Sequence, residues 1–190
     1  MSMGEEKQIV FEKDEVGRAL VRMAHEIAEQ AGSTANLVVI GIRSRGVFLA
    51  RRIARKIQEF SKQAPPVVSI DVTSYRDDRQ RPEDANESAA FDVQVEVDDK
   101  VLVLIDDVIF RGRTVRAAMD AVERLGKPRR ILVAALIDRG SRELPIRADI
   151  VGKNIEARED ERINVLLEEC DGVDQVTVTR WQPRTAPRVS

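Results

Sequence analysis

The chain has very few of the side chains that usually carry nucleophilic or metal chemistry. Its 190 residues include one cysteine, Cys170, and one histidine, His25. They are too few for a zinc site of cysteine and histidine, and no disulfide can form within the chain. The cysteine lies among Glu168, Glu169 and Asp171, whose negative charges disfavour a reactive thiolate. A serine hydrolase would need His25, and the G-x-S-x-G pattern that presents its serine is missing.

Long apolar runs and an excess of one charge are also missing. No stretch approaches the ~18 apolar residues of a membrane-spanning helix, and the first residues, MSMGEEKQ, lack the apolar core of a signal peptide. Lys and Arg number 31 and Asp and Glu number 33, a formal net charge of -2. This balance excludes a uniformly cationic nucleic-acid coat but leaves room for a local basic patch. Because no disulfide can form either, we expect a cytoplasmic protein.

Continuous apolar runs rich in β-branched residues indicate buried strands. They cover residues 37–42, 67–72, 101–105 and 131–137. Continuous rather than alternating hydrophobicity is typical of a parallel sheet covered on both faces. Helical patterns separate several of these runs, over residues 14–31, 47–60 and 114–125. The alternation predicts an α/β fold with a mostly parallel central sheet flanked by helices.

Two segments are too polar to belong to a core. Residues 76–90 contain no large aliphatic side chain and are dominated by charge, a composition typical of a flexible loop that covers a binding site. Residues 181–190 carry two prolines and no acidic side chain, and we expect this tail to be disordered. The remaining residues, 1–180, are predicted to form one domain, in keeping with their number.

The clearest chemical signal lies in VLVLIDDVIFRGRTVR, residues 101–116. A buried strand is predicted to end in two carboxylates, Asp106 and Asp107, before a loop with Gly112 and a helix that begins by Thr114. The free N–H groups and the dipole of a helix N-terminus favour phosphate, and glycine lets the backbone approach it closely. Carboxylates accept hydrogen bonds from vicinal hydroxyls and can hold Mg²⁺ directly or through water. The combination suits a sugar phosphate.

Two common phosphate-binding motifs do not explain this segment. No G-K-[ST] follows the glycine, and G-x-G-x-x-G is missing. A bare Asp-Asp pair more often ends a strand and caps a turn. The ordered series of buried strand, paired carboxylates, glycine loop, threonine and helix favours a binding site instead.

The segment LIDDVIFRGRT resembles the phosphoribosyl pyrophosphate (PRPP) motif of the type I phosphoribosyltransferases. The similarity to one family among them, PyrR, extends along residues 8–180. RALVRMAHEI resembles its first helix, VVIGIRSRGVFLARRIA its pyrophosphate-loop region, SYRDD the start of its lid, and IDRGSRELPIRADIVGKNI a distinctive late segment. This resemblance implies the type I phosphoribosyltransferase fold with a flexible lid, assembled as a homodimer or a higher homo-oligomer.

The resemblance also implies a uracil phosphoribosyltransferase, which converts PRPP and uracil into UMP and pyrophosphate. The residues implied to bind PRPP are Arg43, Ser44 and Arg45 at the pyrophosphate, Asp106 and Asp107 at the ribose hydroxyls, and Arg111, Gly112, Arg113 and Thr114 at the 5′-phosphate. The residues implied to be catalytic are Asp106, Asp107 and, from the lid, Tyr75 and Arg76. The cofactor would be Mg²⁺, held mainly through PRPP, and Asp106 or Asp107 could add a ligand.

A second implied function is regulation of the pyrimidine operon. Members of the family bind the leader mRNA in response to UMP or UTP and thereby control transcription attenuation. The positions that match RNA contacts are Arg22, His25, Arg142, Arg147 and Lys153. For the positions on the first helix, an exposed amphipathic face is the alternative explanation.

Four positions depart from the family pattern and keep alternatives open. Arg111 stands where many members have threonine, which exchanges a hydroxyl of the phosphate site for a cation. On the implied RNA face, Val21 and Ser141 replace a threonine and a histidine, and Gln30 occupies a position that can be basic. The alternatives are a phosphoribosyltransferase without RNA regulation and a nucleotide-sensing regulator with little catalysis. The segment DRGSRELPIRADIVGKN favours the PyrR family over purine phosphoribosyltransferases.

Overall fold

The computed structural model describes residues 7–72, 90–92 and 95–180. In chain order the elements are β1 (Lys7–Phe11), α1 (Lys13–Ala31), β2 (Leu37–Ile42), α2 (Arg45–Ser61), β3 (Val67–Asp71), β4 (Ala90–Phe91), β5 (Val101–Ile109), α3 (Arg113–Glu123), β6 (Arg130–Asp138), β7 (Ile150–Asn154), β8 (Glu161–Leu166), α4 (Glu168–Asp171) and β9 (Gln175–Arg180). None of the helices in these ranges is long and apolar enough to cross a membrane.

The main sheet confirms the predicted fold class. Its strand order is β4-β3-β2-β5-β6-β7, and every neighbouring pair is parallel except β3 with β4. All six residues of β2 are buried, as expected for a strand covered on both faces. The central unit is therefore a five-stranded parallel sheet, with β4 as an antiparallel addition at one edge.

Alternate residues of the central strands pack against helices on opposite faces. Val101, Val103 and Ile105 of β5 belong to the core that contains the buried side chains of α1 and α2. Leu102 and Leu104 belong to the core that contains α3. The period of two along a strand thus distributes one apolar run between two layers of helices.

The strand β5 is longer than the sequence predicts. It pairs with β2 only as far as Gly41 opposite Ile105, but with β6 as far as Ile109 opposite Asp138. The prediction that the strand ends at the paired carboxylates is therefore wrong, because β6 also supplies partners for Val108 and Ile109. Asp106 and Asp107 lie inside the strand, at the point where β2 has already turned into α2.

A second, antiparallel sheet has the order β1-β9-β8, and sequence reasoning missed it. Its strands come from both ends of the described chain, so no local pattern identifies them as neighbours. The predicted lid over residues 76–90 lies almost wholly outside the described residues, and the predicted tail lies outside them too.

Candidate active site

A cavity of about 610 Å³ lies between the carboxyl ends of the main strands and the three-stranded sheet. Its wall on the main-sheet side is formed by Arg45, Asp107, Phe110, Arg111 and Arg139. The opposite wall is formed mostly by β8 and β9. The carboxyl ends of parallel strands are where open α/β sheets usually bind ligands, so the cavity stands where the sequence predicts PRPP.

The two predicted carboxylates have different surroundings. Asp107 is half-buried and lines the cavity, whereas Asp106 is only 7% exposed. The Asp106 carboxylate accepts a hydrogen bond from the main-chain N–H of Asp107, at 3.0 Å. Because adjacent strand residues point to opposite faces, Asp107 is the one placed to meet a ligand. Asp106 stabilises the main chain of the strand through this hydrogen bond.

The loop after β5 has the conformation expected of a phosphate-binding turn. Gly112 is the N-cap of α3 with a φ of +92°, a region that side chains other than glycine rarely adopt. A Cβ atom there would lie 3.6 Å from the Cβ atoms of Leu144 and Ile146, which is ordinary contact. Backbone conformation rather than space therefore calls for glycine, and the first turn of α3 begins directly beyond it at Arg113 and Thr114.

A second loop, residues 139–146, holds this turn in place through main-chain bonds. The N–H of Arg139 donates to the Ile109 carbonyl at 3.0 Å, and the N–H groups of Glu143 and Leu144 donate to the Arg111 carbonyl at 3.1 and 3.2 Å. The predicted phosphate loop is thus fixed by a segment about thirty residues further along the chain.

Arg142 lies inside that second loop. Its guanidinium donates to the carbonyl groups of Phe110 (2.7 Å), Gly140 (3.0 Å) and Ile146 (2.9 Å) and to the Asp138 carboxylate (2.7 Å). Its side chain is 16% exposed. The resemblance implied an RNA contact for Arg142, but these bonds direct its guanidinium to the predicted phosphate loop, and we assign it no RNA contact.

Two of the predicted phosphate-binding arginines share one carboxylate. Glu143 forms an ion pair with Arg111 at 3.2 Å and with Arg113 at 2.6 Å. The hydrogen bond from Arg113 is the main cause that holds the pKa of Glu143 below its ordinary value. All three side chains are well exposed, so each pair contributes little to stability, and a bound phosphate could replace the carboxylate at low cost.

Arg139 and Phe110 line the cavity, although neither is among the predicted site residues. The Arg139 guanidinium lies over the Phe110 ring, 4.0 Å from its centroid. Burial and the nearby charge of Arg111 lower the pKa of Arg139. Among the described residues, the buried side-chain atoms without a hydrogen-bond partner are Arg139 Nε and Thr177 Oγ1, and both residues line the cavity. The sequence feature that could have identified Arg139 is its position directly after the buried strand β6.

The predicted pyrophosphate loop lies beside the carboxylates. It contains a cis peptide between Arg43 and Ser44, and α2 begins at Arg45. A Cβ atom at Gly46 would clash with the Ile105 carbonyl oxygen, so the glycine lets α2 pack directly on β5. Arg45 lines the cavity and makes a bidentate ion pair with Asp171, with donor–acceptor distances of 2.9 to 3.3 Å.

Three of the predicted RNA-binding residues, Arg22, Arg147 and Lys153, lie on or beside the edge strand β7. Arg22 donates to the carbonyl groups of Val151 and Gly152, at 2.9 and 2.7 Å, and also pairs with Glu26. Lys153 donates to the carbonyl of Val10 at 2.7 Å.

Arg147 is exposed in the loop before β7. His25 is exposed and stacks on Phe60, with ring centroids 4.2 Å apart. The structure thus brings Arg22 and Lys153 together at β7. The candidates Tyr75 and Arg76 lie outside the described residues.

The donor set of the cavity can be compared with the needs of Mg²⁺. Within the described ranges, no group of three or more His, Cys, Asp or Glu side chains could hold a metal ion. Mg²⁺ commonly takes one or two carboxylates and completes its shell with water and substrate phosphates. Asp107 in the cavity, with Asp106 behind it, fits that pattern, so Asp107 would hold the ion together with the oxygens of PRPP.

Comparisons with known proteins agree with this geometry. The phosphoribosyl transferase domain family matches residues 9–169. The bifunctional protein PyrR of Chloroflexus aurantiacus is 53% identical over 94% of this chain and 97% of its own length. That of Limosilactobacillus fermentum is 48% identical over 85% of this chain and 91% of its own length.

Solved structures give the same fold. The hypoxanthine phosphoribosyltransferase of Trypanosoma cruzi superposes with a TM-score of 0.72, at 16% identity, over 92% of this chain and 97% of that one. A hypoxanthine-guanine phosphoribosyltransferase of Bacillus anthracis superposes with a TM-score of 0.68, at 18% identity, over 95% and 99%. At such identity the likeness concerns the fold alone, whereas the sequence relatives settle the family. The chain belongs to the PyrR family of phosphoribosyl transferase domain proteins.

Proposed function

We propose that the protein transfers the phosphoribosyl group of PRPP to uracil, which gives UMP and pyrophosphate. The observation that carries this proposal is a cavity whose wall includes Arg45, Asp107 and Arg111, next to the Gly112 turn of α3. One end of this arrangement suits a 5′-phosphate and the other suits a pyrophosphate. The carboxylate of Asp107 stands near both, where a ribose would lie.

The reaction needs positioning and charge stabilisation more than a side-chain nucleophile. The bond from the ribose C1 to the pyrophosphate oxygen breaks, the bond from C1 to the uracil N1 forms, and the N1 proton leaves. Asp107 would hold the ribose hydroxyls, and the first turn of α3 would hold the 5′-phosphate. Arg45 would stabilise the negative charge on the leaving pyrophosphate. Mg²⁺ bound through PRPP and Asp107 would add positive charge there.

We also propose that the protein regulates the pyrimidine operon by binding its leader mRNA in response to UMP or UTP. Membership of a family whose relatives are bifunctional supports this second function, as do Arg22, Arg147 and Lys153 on or near β7. We expect the working unit to be a homodimer or a higher homo-oligomer. A cytoplasmic location stays a prediction that accompanies both functions.

An assay of UMP formation tests the enzymatic proposal. Purified protein with Mg²⁺, PRPP and uracil should form UMP and pyrophosphate in equal amounts, and hypoxanthine should not replace uracil. Asp107→Asn should lower kcat/KM for PRPP about 100-fold, since it removes a charged contact to the reacting sugar. The matched control is Asp120→Asn, because Asp120 is exposed on α3 and, among the described residues, pairs only with Arg116, at 3.8 Å. No UMP from the wild type, or equal activity of the Asp107 variant, would contradict the proposal.

Binding to leader RNA at several salt concentrations tests the regulatory proposal. A variant with Arg22→Gln and Arg147→Gln should bind more weakly, and the slope of log K against log salt should fall by about 2, one unit for each lost phosphate contact. Arg124→Gln is the control, since Arg124 is exposed beside α3, which packs on the other face of the main sheet. A double variant that binds RNA as tightly as the parent would remove the assignment of this face.

A further inference from the structure

Two arginines of α2 reach the short helix α4 through carboxylates. Arg45 pairs with Asp171, and seven residues later Arg52 pairs with Asp174 and Glu169. Both aspartates also accept a main-chain N–H of the α4 turn: Asp171 from Leu167 and Asp174 from Glu168. Two similar carboxylates therefore connect the segment around α4 to the same helix of the main domain.

The two pairs differ in what lies next to them. Arg52 and Asp174 have side chains that are 14% and 10% exposed, and neither lines the cavity with Asp107. Arg45 and Asp171 are 30% and 21% exposed, and Arg45 lines that cavity. Only the Arg45 pair can therefore act on a ligand bound there.

The geometry of the Arg45 pair leaves one edge of the guanidinium unused. Its Nε and Nη2 donate to the Asp171 carboxylate, at 2.9 to 3.3 Å. Its Nη1 makes no hydrogen bond to any residue in the described ranges. A guanidinium held on one side by a carboxylate has a fixed plane, so the remaining N–H groups have a defined direction before any ligand arrives.

We propose that Asp171 is a positioning residue that holds Arg45 ready for the pyrophosphate of PRPP. This inference rests on the proposed function of the cavity. The carboxylate fixes the Arg45 side chain at the cavity wall and removes the conformational entropy that a free arginine would lose on binding. Because Asp171 belongs to α4, it also ties the segment between β8 and β9 to the reacting centre.

The test compares Asp171→Asn with Asp174→Asn in the same assay. Each change removes one carboxylate charge, while the asparagine oxygen can still accept the main-chain N–H of the α4 turn. We expect Asp171→Asn to raise the KM for PRPP about tenfold, the effect of one loosened charge-assisted contact, with the KM for uracil within about twofold. Asp174→Asn should lower the melting temperature more and leave the KM for PRPP unchanged.

A double variant separates positioning from a general structural effect. If Asp171 acts through Arg45, Arg45→Gln together with Asp171→Asn should be no worse than Arg45→Gln alone. Should Asp171→Asn fail to fold, Asp171→Glu serves in its place, because it keeps the charge but moves it by one methylene. Its KM for PRPP should then rise while its melting temperature stays near that of the wild type.

The outcomes distinguish the two levels of the proposal. A wild type that forms no UMP overturns the proposed function itself. If the wild type is active, only the positioning role is at stake. It is overturned if the KM for PRPP of Asp171→Asn, or of Asp171→Glu in its place, stays within about twofold of the wild-type value. The positioning role also falls if the effects of the Arg45 and Asp171 substitutions multiply.

Discussion

The arginines around the cavity and the cations beside β7 are engaged by different partners. Arg45 and Arg111 pair with the carboxylates of Asp171 and Glu143. Arg22 and Lys153 donate to main-chain carbonyl groups, in addition to their ion pairs with Glu26 and Glu15. At Arg111 a bound phosphate can replace the Glu143 carboxylate, since both are anions that accept hydrogen bonds from a guanidinium. A main-chain carbonyl that loses its donor must find another. The comparison teaches that a ligand replaces the partner of a cation more easily where that partner is an exposed carboxylate than where it is a main-chain carbonyl.

The largest effect we expect comes from Arg142, whose partners are almost all carbonyl groups. Arg142→Gln would take the guanidinium donor away from these carbonyls and break the ion pair with Asp138, whose carboxylate would keep the N–H of Gly140. It should lower the free energy of unfolding by about 3 kcal/mol. Denaturant unfolding measures this loss. Arg147→Gln is the control, because Arg147 lies just after the loop of residues 139–146 and is exposed, and it should change the free energy of unfolding by less than about 0.5 kcal/mol. Equal stability of the two variants would break the comparison.

An intermediate effect is expected at Gly112. Gly112→Ala would force an alanine into a positive φ and cost about 1 to 2 kcal/mol, and the distorted turn should raise the KM for PRPP. Gly32→Ala is the matched control, because Gly32 has a φ of +70° at the end of α1 and a Cβ there would meet nothing within 4 Å. It should cost a similar free energy but leave the KM for PRPP unchanged. A raised KM in both variants would show that stability, not the phosphate turn, controls PRPP binding.

The smallest expected effect concerns the pH dependence of stability. Carboxylates in ion pairs titrate, whereas main-chain carbonyl groups do not. Arg52 lowers the pKa of Glu169, and its hydrogen bonds also lower the pKa of Asp174 despite the opposing effect of burial. A lowered folded-state pKa gives stability that is present above the ordinary values near about 4 and is lost as the pH falls through the lowered ones. Asp174→Asn should therefore show a shallower loss of stability between about pH 5 and pH 3. A curve parallel to that of the wild type would contradict this linkage.

Sequence patterns predicted the parts of the fold and site that are local. The buried runs became β2, β3, β5 and β6, and the helix of the phosphate turn begins at Arg113 as expected. The resemblance named Arg45, Asp107 and Arg111, and the structure places all three on one cavity.

The features that the sequence did not predict depend on contacts between residues far apart along the chain. Glu143 lies about thirty residues from the arginines it pairs with, and Asp171 lies 126 residues from Arg45. The small sheet joins β1 to β9 across almost the whole described chain. Arg142 was placed on the RNA face by position alone, because nothing in the sequence shows that its guanidinium turns inward to carbonyl groups. Such partners follow from the folded arrangement rather than from local pattern.

A crystal structure of the protein with UMP bound tests the central claim most directly. The account predicts the 5′-phosphate at the first turn of α3, within hydrogen-bond distance of the main-chain N–H groups of Gly112 to Thr114, and the ribose hydroxyls on Asp107. It also predicts that Arg142 keeps its bonds to the carbonyl groups of Phe110 and Gly140. UMP seated beside β7, or a phosphate remote from the Gly112 turn, would contradict the account.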